Sequence, residues 1–406
     1  MKALIALVLI VGALGSGCFL HVSHYTAPDG SIVYVGDFYN DVPGPGFPTA
    51  MIEGKFYDAA GNLITTKNGF TCNGVSPKGV IPFKVTLPPG TAEPARVDWR
   101  IVDAPAEPYL ATGLEANVTN TFTAGNTTYV VGELRNTSTN TYVSGWPCAS
   151  WTDADGNVVR QADGIVAGQR LGPGDVRPFE LWVDTPPAGS TIHLYLDAGV
   201  TNSPGSVGPS AIDVPASALQ NGYGPTAPID GTQLTLGVYE VHNPTAKPFI
   251  PAPVAEVRDA SGNLLAVNFG GSQCDVYAAP GSFSYTTYVV RAPATVTTPP
   301  TVSLQGYEVN DTIYSPAVSS LTFSKSGDTV TATGTVKNTS TATLNHARVC
   351  VGAYDAGGTV RNVGMVHVTL PSSGLAPNGT ASFSVSFTDP WPVTNVKAVA
   401  DGWERK

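Results

Sequence analysis

Four of the five cysteines fall into two pairs with the same spacing. Cys72 and Cys148 stand 76 residues apart, and so do Cys274 and Cys350. An offset of 202 carries each member of the first pair onto its counterpart in the second. After its leader the chain is therefore a tandem duplication of a half roughly 200 residues long. The duplication favours the bridges Cys72–Cys148 and Cys274–Cys350, one in each half, among the three connectivities that four cysteines allow. Bridges of this kind imply an oxidising compartment. The competing reading is four buried single thiols acting as small apolar side chains.

The chain opens MKALIALVLIVGALGSGC. Lys2 is a charged start, Ala3 to Leu14 an apolar run, and Gly15-Ser16-Gly17 a small-residue cleavage zone, so residues 1–18 read as a signal peptide. The segment resembles the lipobox of prokaryotic lipoproteins, whose cysteine is lipidated and becomes the mature N-terminus. Leu14 stands one residue further from Cys18 than the usual leucine. Lipidation of Cys18 accounts for the unpaired fifth cysteine and anchors the chain to a membrane at the cell surface or in the periplasm. A plain signal peptide or an uncleaved anchor is the alternative, and either leaves the bulk of the chain outside the cytoplasm.

Charged residues make up 13% of the chain and the net charge is −10, which excludes a nucleic-acid partner that would need clustered Lys and Arg. The 44 glycines and 34 prolines, with Thr and Val throughout, suit strands joined by turns.

One pattern recurs four times. A strand ends in Gly36-Asp37-Phe38-Tyr39-Asn40, Gly132-Glu133-Leu134-Arg135-Asn136 and Gly334-Thr335-Val336-Lys337-Asn338; the third copy, Tyr239-Glu240-Val241-His242-Asn243, has Tyr for Gly. A second strand then leads into an Asp-centred turn at Asp58-Ala59-Ala60-Gly61-Asn62, Asp153-Ala154-Asp155-Gly156-Asn157, Asp259-Ala260-Ser261-Gly262-Asn263 and Asp355-Ala356-Gly357-Gly358-Thr359. Alternating strands such as Phe179-Glu180-Leu181-Trp182-Val183 close each unit.

Short strands at this spacing predict an all-β chain of tandem immunoglobulin-like β-sandwiches, four domains in two duplicated pairs. The Gly-x-x-x-Asn strand and the Tyr/Phe-Asp-x-x-Gly turn resemble the FxLYD family of small immunoglobulin-like domains found in prokaryotic surface lipoproteins. That resemblance implies a surface or periplasmic β-domain and supplies no catalytic residue. The expected boundaries are sandwich 1 at 19–104, sandwich 2 at 105–200, a linker at 201–232 with one extra strand or turn, sandwich 3 at 233–305 and sandwich 4 at 306–406. Each bridge then crosses from one sandwich to the next, and the two members of a half are rigidly joined.

No catalytic signature, phosphate loop or cofactor motif is present. The Asp153–Asn157 turn invites a calcium reading, but Gly164 stands where an EF-hand needs its last Glu, so a tight turn is expected. His21 and His24 are spaced to face opposite sides of a strand and do not share a metal. Trp146, Trp151 and Trp182 cluster in unit two and offer a carbohydrate platform, set against ordinary packing. Sequons stand at Asn117, Asn126, Asn136, Asn310, Asn338 and Asn378. The expected role is non-enzymatic: adhesion, structure or envelope organisation. The alternative is an accessory protein that binds envelope polysaccharide or peptide. The expected partners are the membrane, through the lipid, and an envelope polysaccharide or surface protein.

Overall fold

The computed structural model describes residues 17–41, 49–103, 113–166, 170–200, 211–214, 219–223, 226–229, 231–269, 274, 276–296, 298–308 and 312–404. Among them there is no helix, and every strand pairing is antiparallel. The described residues form two compact units, 17–200 and 211–404.

Unit 1 opens with β1 (Gly17–Thr26), β2 (Ile32–Asn40), β3 (Met51–Tyr57), β4 (Leu63–Thr71), β5 (Val80–Leu87) and β6 (Arg96–Asp103), in the order β1-β2-β5-β4-β3-β6. β4 and β5 share only the pairs Phe70↔Lys84 and Thr71↔Phe83, so the sheet folds over at that seam. Its two wings enclose one core, with Tyr34, Phe38 and Phe83 from one and Ile52 and Phe56 from the other.

A second group follows: β7 (Leu114–Ala124), β8 (Thr127–Asn136), β9 (Tyr142–Thr152), β10 (Val158–Val166), β11 (Arg170–Leu171), β12 (Val176–Asp184) and β13 (Thr191–Val200). Their order is β11-β9-β10-β12-β8-β7, with β13 also on β9. This sheet folds at β10–β12, which share three pairs, around Leu134, Tyr142, Trp151, Phe179 and Leu181.

In unit 2 the third group comprises β14 (Ala211–Val214), β15 (Leu219–Tyr223), β16 (Thr226–Ile229), β17 (Thr232–His242), β18 (Phe249–Arg258), β19 (Leu264–Phe269), β20 (Phe283–Pro293) and β21 (Thr301–Glu308). One sheet runs β14-β21-β18-β19; the other runs β15-β17-β16, with β20 also on β17. The fourth group is β22 (Ile313–Tyr314), β23 (Ala317–Ser326), β24 (Thr329–Lys337), β25 (His346–Tyr354), β26 (Val360–His367), β27 (Thr380–Thr388) and β28 (Asn395–Trp403). Its sheets are β22-β28-β25-β26 and β23-β24-β27.

The recurring motif has a packing reason. Its glycine lies opposite a phenylalanine: Gly36↔Phe83, Gly132↔Phe179 and Gly334↔Phe383. A Cβ at Gly334 would lie 2.8 Å from the Phe383 ring, so the aromatic lies over the bare backbone. In the third group the sizes are exchanged, with Tyr239 opposite Thr286. The asparagine is a plug, and Asn40, Asn136, Asn243 and Asn338 are all buried. Asn136 Nδ2 donates to the carbonyls of Asn140 (2.7 Å) and Leu171 (2.9 Å), while its Oδ1 accepts from Ser138 N and Oγ. Asn243 and Asn338 repeat the arrangement with Thr245 and Ser340. The hydroxyl two residues on is what makes Asn136 and Asn338 read as sequons. Both carboxamides are fully engaged inside the fold, whereas Asn117, Asn126 and Asn378 are exposed; Asn310 lies outside the described residues.

Three boundaries differ from expectation, the smallest being that β21 carries the third group to Glu308, past the expected end at 305. The linker at 201–232 contains three strands: β14 pairs with β21, and β15 and β16 pair with β17. The third group therefore begins its sheets at Ala211. Strands of four or five residues carry little local signal, and these are fixed by distant partners. Cys18 lies within β1, opposite Tyr39, so the strand starts one residue before the expected lipidation point.

Candidate functional site

The chemistry-bearing side chains of each unit collect where its two strand groups meet. The cysteine pairs lie there. Cys72 and Cys148 have Cα atoms 6.0 Å apart, and Cys274 and Cys350 5.8 Å, within bridging range, and the sulfurs are paired. Two such pairs point to a compartment outside the reducing cytoplasm. Cys18 is exposed and unpaired.

The junction of unit 2 is sealed. Cys274, Val276, Tyr285, Cys350, Val360 and Val363 form one apolar cluster in which each is at most 1% exposed. Beside it stands a buried acid, Glu240. Its Oε2 accepts from the Tyr354 hydroxyl and from Lys397 Nζ (3.0 Å), and its Oε1 pairs with His242 Nε2 (2.6 Å). Tyr285 bonds Tyr354 hydroxyl to hydroxyl at 3.0 Å. Burial alone would raise the Glu240 carboxyl, but the bonds from Tyr354, Lys397 and His242 outweigh it and hold it below the usual range. Arg348 grips the buried Asp401 at 2.6 Å, and burial still pushes that carboxyl up.

In unit 1 the place of Glu240 is taken by Asp37. Its Oδ2 meets His21 Nδ1 at 3.1 Å, and its buried Oδ1 has no partner among the described residues. Burial pushes this carboxyl up, against the pull of His21 and then His193. A carboxyl raised in the folded state costs stability above that folded value, and the cost fades as pH falls through it. Asp37→Asn is therefore expected to stabilise the protein by about 1 kcal/mol at neutral pH and by nothing at strongly acidic pH. Thermal unfolding of both proteins across the acid range checks this; an equal shift at every pH would contradict it.

The same junction contains a cleft of about 370 Å³. Its rim on the β4–β5 side presents Asn68, Phe70, Lys84 and Thr86, and its β10 side presents Gln161 and Asp163, with Cys72 between them. Phe70 is 56% exposed, an unusual state for a large aromatic. Lys84 Nζ meets Asp163 Oδ2 at 3.4 Å, and Gln161 Nε2 donates to Asp163 Oδ1 at 3.2 Å. Gln161 is 3% exposed, and its Oε1 has no partner among the described residues. Asp163 lies within 4.8 Å of both cysteine sulfurs, but those sulfurs are paired with each other.

The tryptophan platform is not formed by the described side chains. Trp151 on β9 is 5% exposed and belongs to the core of the second group, because its side of that strand faces inward. Trp182 is 46% exposed on β12, in the opposite wing of the sheet. The Trp146 side chain lies outside the described residues. The Asp-centred turns bind their own backbone: Asp153 Oδ1 accepts from Asp155 N (3.0 Å) and Asn157 N (2.8 Å), with Gly156 at φ +83°. His21 sits at a bulge with φ +50° and faces Asp37, while His24 meets Glu93 at 3.2 Å. The two histidines thus have separate partners.

Phe70, Lys84, Gln161 and Asp163 went unnoticed in the sequence. The duplication marks two of them: the offset of 202 sets Gln161 and Asp163 against Val363 and Met365.

No protein-family model matches the chain, and no curated protein matches it. Among solved structures, a xanthan lyase from Paenibacillus shares 11% identity over 98% of this chain and 55% of its own length. The TM-score is 0.10, and a superposition at that level carries no argument about fold or function. No helix among the described residues is long and apolar enough to cross a membrane.

Proposed function

We propose that this chain is a non-enzymatic surface or periplasmic lipoprotein of FxLYD-like immunoglobulin domains. Cys18 tethers it to the membrane, and its paired sandwiches hold a binding surface for adhesion or envelope organisation. The observation that carries the reading is the cysteine pair that ties the two strand groups of each unit together. A bridge across such a junction fixes the angle between neighbours, which suits presentation of a surface. The buried acids support it too. Glu240 and Asp401 are committed to ion pairs within unit 2, as structural groups rather than groups poised for proton transfer. Cys18 is exposed and unpaired in the edge strand β1, which supports the anchor reading.

Metabolic labelling with a radioactive fatty acid, followed by membrane fractionation, tests the anchor. The intact chain is expected to take up label and sediment with membranes. Cys18→Ser is expected to lose the label and at least about tenfold of its membrane partition, because a lipid chain contributes roughly 0.8 kcal/mol per buried methylene. An unlabelled, soluble wild-type chain would refute the lipoprotein reading.

A further inference from the structure

We propose that the open junction of unit 1 binds one neutral sugar ring of a saccharide, held between the Phe70 face and the Gln161–Asp163 pair. The proposal rests on the reading of the chain as a binding module, and does not depend on the anchor at Cys18.

The argument begins with the duplication. In unit 2 the register sets Val363 against Gly352 and Met365 against Cys350. In unit 1 the same positions hold Gln161 against Ser150 and Asp163 against Cys148. The apolar pair completes a sealed joint, with Cys274 and Cys350 both 0% exposed. The polar pair does not: Cys72 is half-buried, and the cleft stands open beside it. Joining two strand groups needs only the sealed version. A buried carbonyl without a partner loses its bond to water and gains none in return, so Gln161 weakens the joint in which it sits. A ligand hydroxyl donating to Oε1 removes that cost.

The chemistry selects the ligand class. At about 370 Å³ the cleft lies near the lower end of small-molecule sites, which run from roughly 300 to 1,000 Å³, and suits one ring. Phe70 offers an exposed aromatic face of the kind on which the C–H face of a pyranose stacks. Gln161 Nε2 is held by Asp163, which leaves Oε1 as the acceptor. Lys84 supplies a donor, and Asn68 and Thr86 add groups that both donate and accept. Sugar hydroxyls both donate and accept, and so match this mixture. Lys84 and Asp163 neutralise each other, so the site favours an uncharged ring over a uronic acid.

The test uses the full chain in a non-glycosidic detergent, with calorimetry and saturation-transfer NMR. The probes are glucose, galactose, mannose and N-acetylglucosamine, their oligomers, glucuronic acid, and a set of short peptides. At least one neutral sugar is expected to bind in the millimolar range or tighter. Phe70→Ala and Gln161→Leu are each expected to weaken it about tenfold or more, the loss of one buried contact. Trp182→Ala is expected to leave it unchanged. Phe70 is exposed, so Phe70→Ala retains its fold, checked by an unchanged melting temperature and an intact Cys72–Cys148 pair. The proposal is overturned if no neutral sugar binds, if binding survives both variants, or if glucuronic acid or a peptide is preferred. A membrane-bound, lipidated chain that binds no sugar would overturn this assignment and leave the anchor reading standing.

Discussion

A Cys274→Ala/Cys350→Ala variant is expected to lose about 4 kcal/mol of unit 2 stability. The two cysteines are separated by 76 residues. Closing a loop of that length in the unfolded chain removes entropy worth roughly 4 kcal/mol in the chain-entropy model. The native side of the balance changes little. Both side chains are 0% exposed within an apolar cluster, and alanine keeps that environment dry at the loss of one small atom per site. The corresponding Cys72→Ala/Cys148→Ala variant removes a loop of equal length, but Cys72 faces a cleft, so less packing is lost with it. Denaturant unfolding of wild type and both variants, with and without reductant, measures the difference. Reductant should bring the wild type down towards the variants and leave the variants unmoved. A wild type indifferent to reductant, with no linked cysteines in its non-reduced peptide map, would restore the reading of four single thiols.

The duplication that was plain in the sequence proved the most informative guide to the fold, because it rests on position rather than propensity. Spacing of cysteines, the Asp-centred turns and the Gly-x-x-x-Asn strand are local or periodic signals. Each corresponds to a local physical demand: a left-handed glycine at Gly156, a bare backbone under Phe179, a plug at Asn136. Strands β14, β15 and β16 escaped because they are short and lie among Pro and Gly, and only pairing with β17 and β21 orders them. Trp151 and Trp182 share an alternating background, and alternation does not say which face of a strand is inward until its sheet partner is known. The cleft was harder still. Phe70 and Gln161 are 91 residues apart, and nothing near either one announces the other. Comparison of the two halves does mark Gln161 and Asp163, as polar residues where the other copy has Val363 and Met365. It says that the junctions differ, and in the structure the two polar residues line a cleft.

Asn338→Ala is expected to cost about 3–5 kcal/mol, more than most surface-loop substitutions. Asn338 is 0% exposed at the end of β24, and makes four hydrogen bonds through one carboxamide. Nδ2 donates to the carbonyls of Ala342 (2.7 Å) and Leu375 (2.8 Å), and Oδ1 accepts from Ser340 N (3.0 Å) and Oγ (2.7 Å). Truncation removes all four bonds. Leu375 O keeps its bond from Leu344 N (3.0 Å) and Ala342 O its bond from Ser340 Oγ (3.2 Å), so the cost is about 1 kcal/mol for each bond lost, with Ser340 N left without its acceptor. Relaxation of the loop recovers part of this, hence the middle of the range. Asn338→Asp separates hydrogen bonding from size. The carboxylate keeps both acceptor contacts but sets negative oxygen against the Ala342 and Leu375 carbonyls, so it should destabilise at least as much as alanine despite its matching shape. Its effect should ease in acid, when a protonated carboxyl regains one donor. Hydrogen exchange gives the local readout: protection at Leu375, whose N–H donates to Leu344 O at 2.7 Å, should fall in both variants as the two loops separate. Equal stability of wild type and Asn338→Asp at neutral pH would mean that the donor side of the plug contributes nothing. The motif asparagine would then be a turn former rather than the tie between two loops.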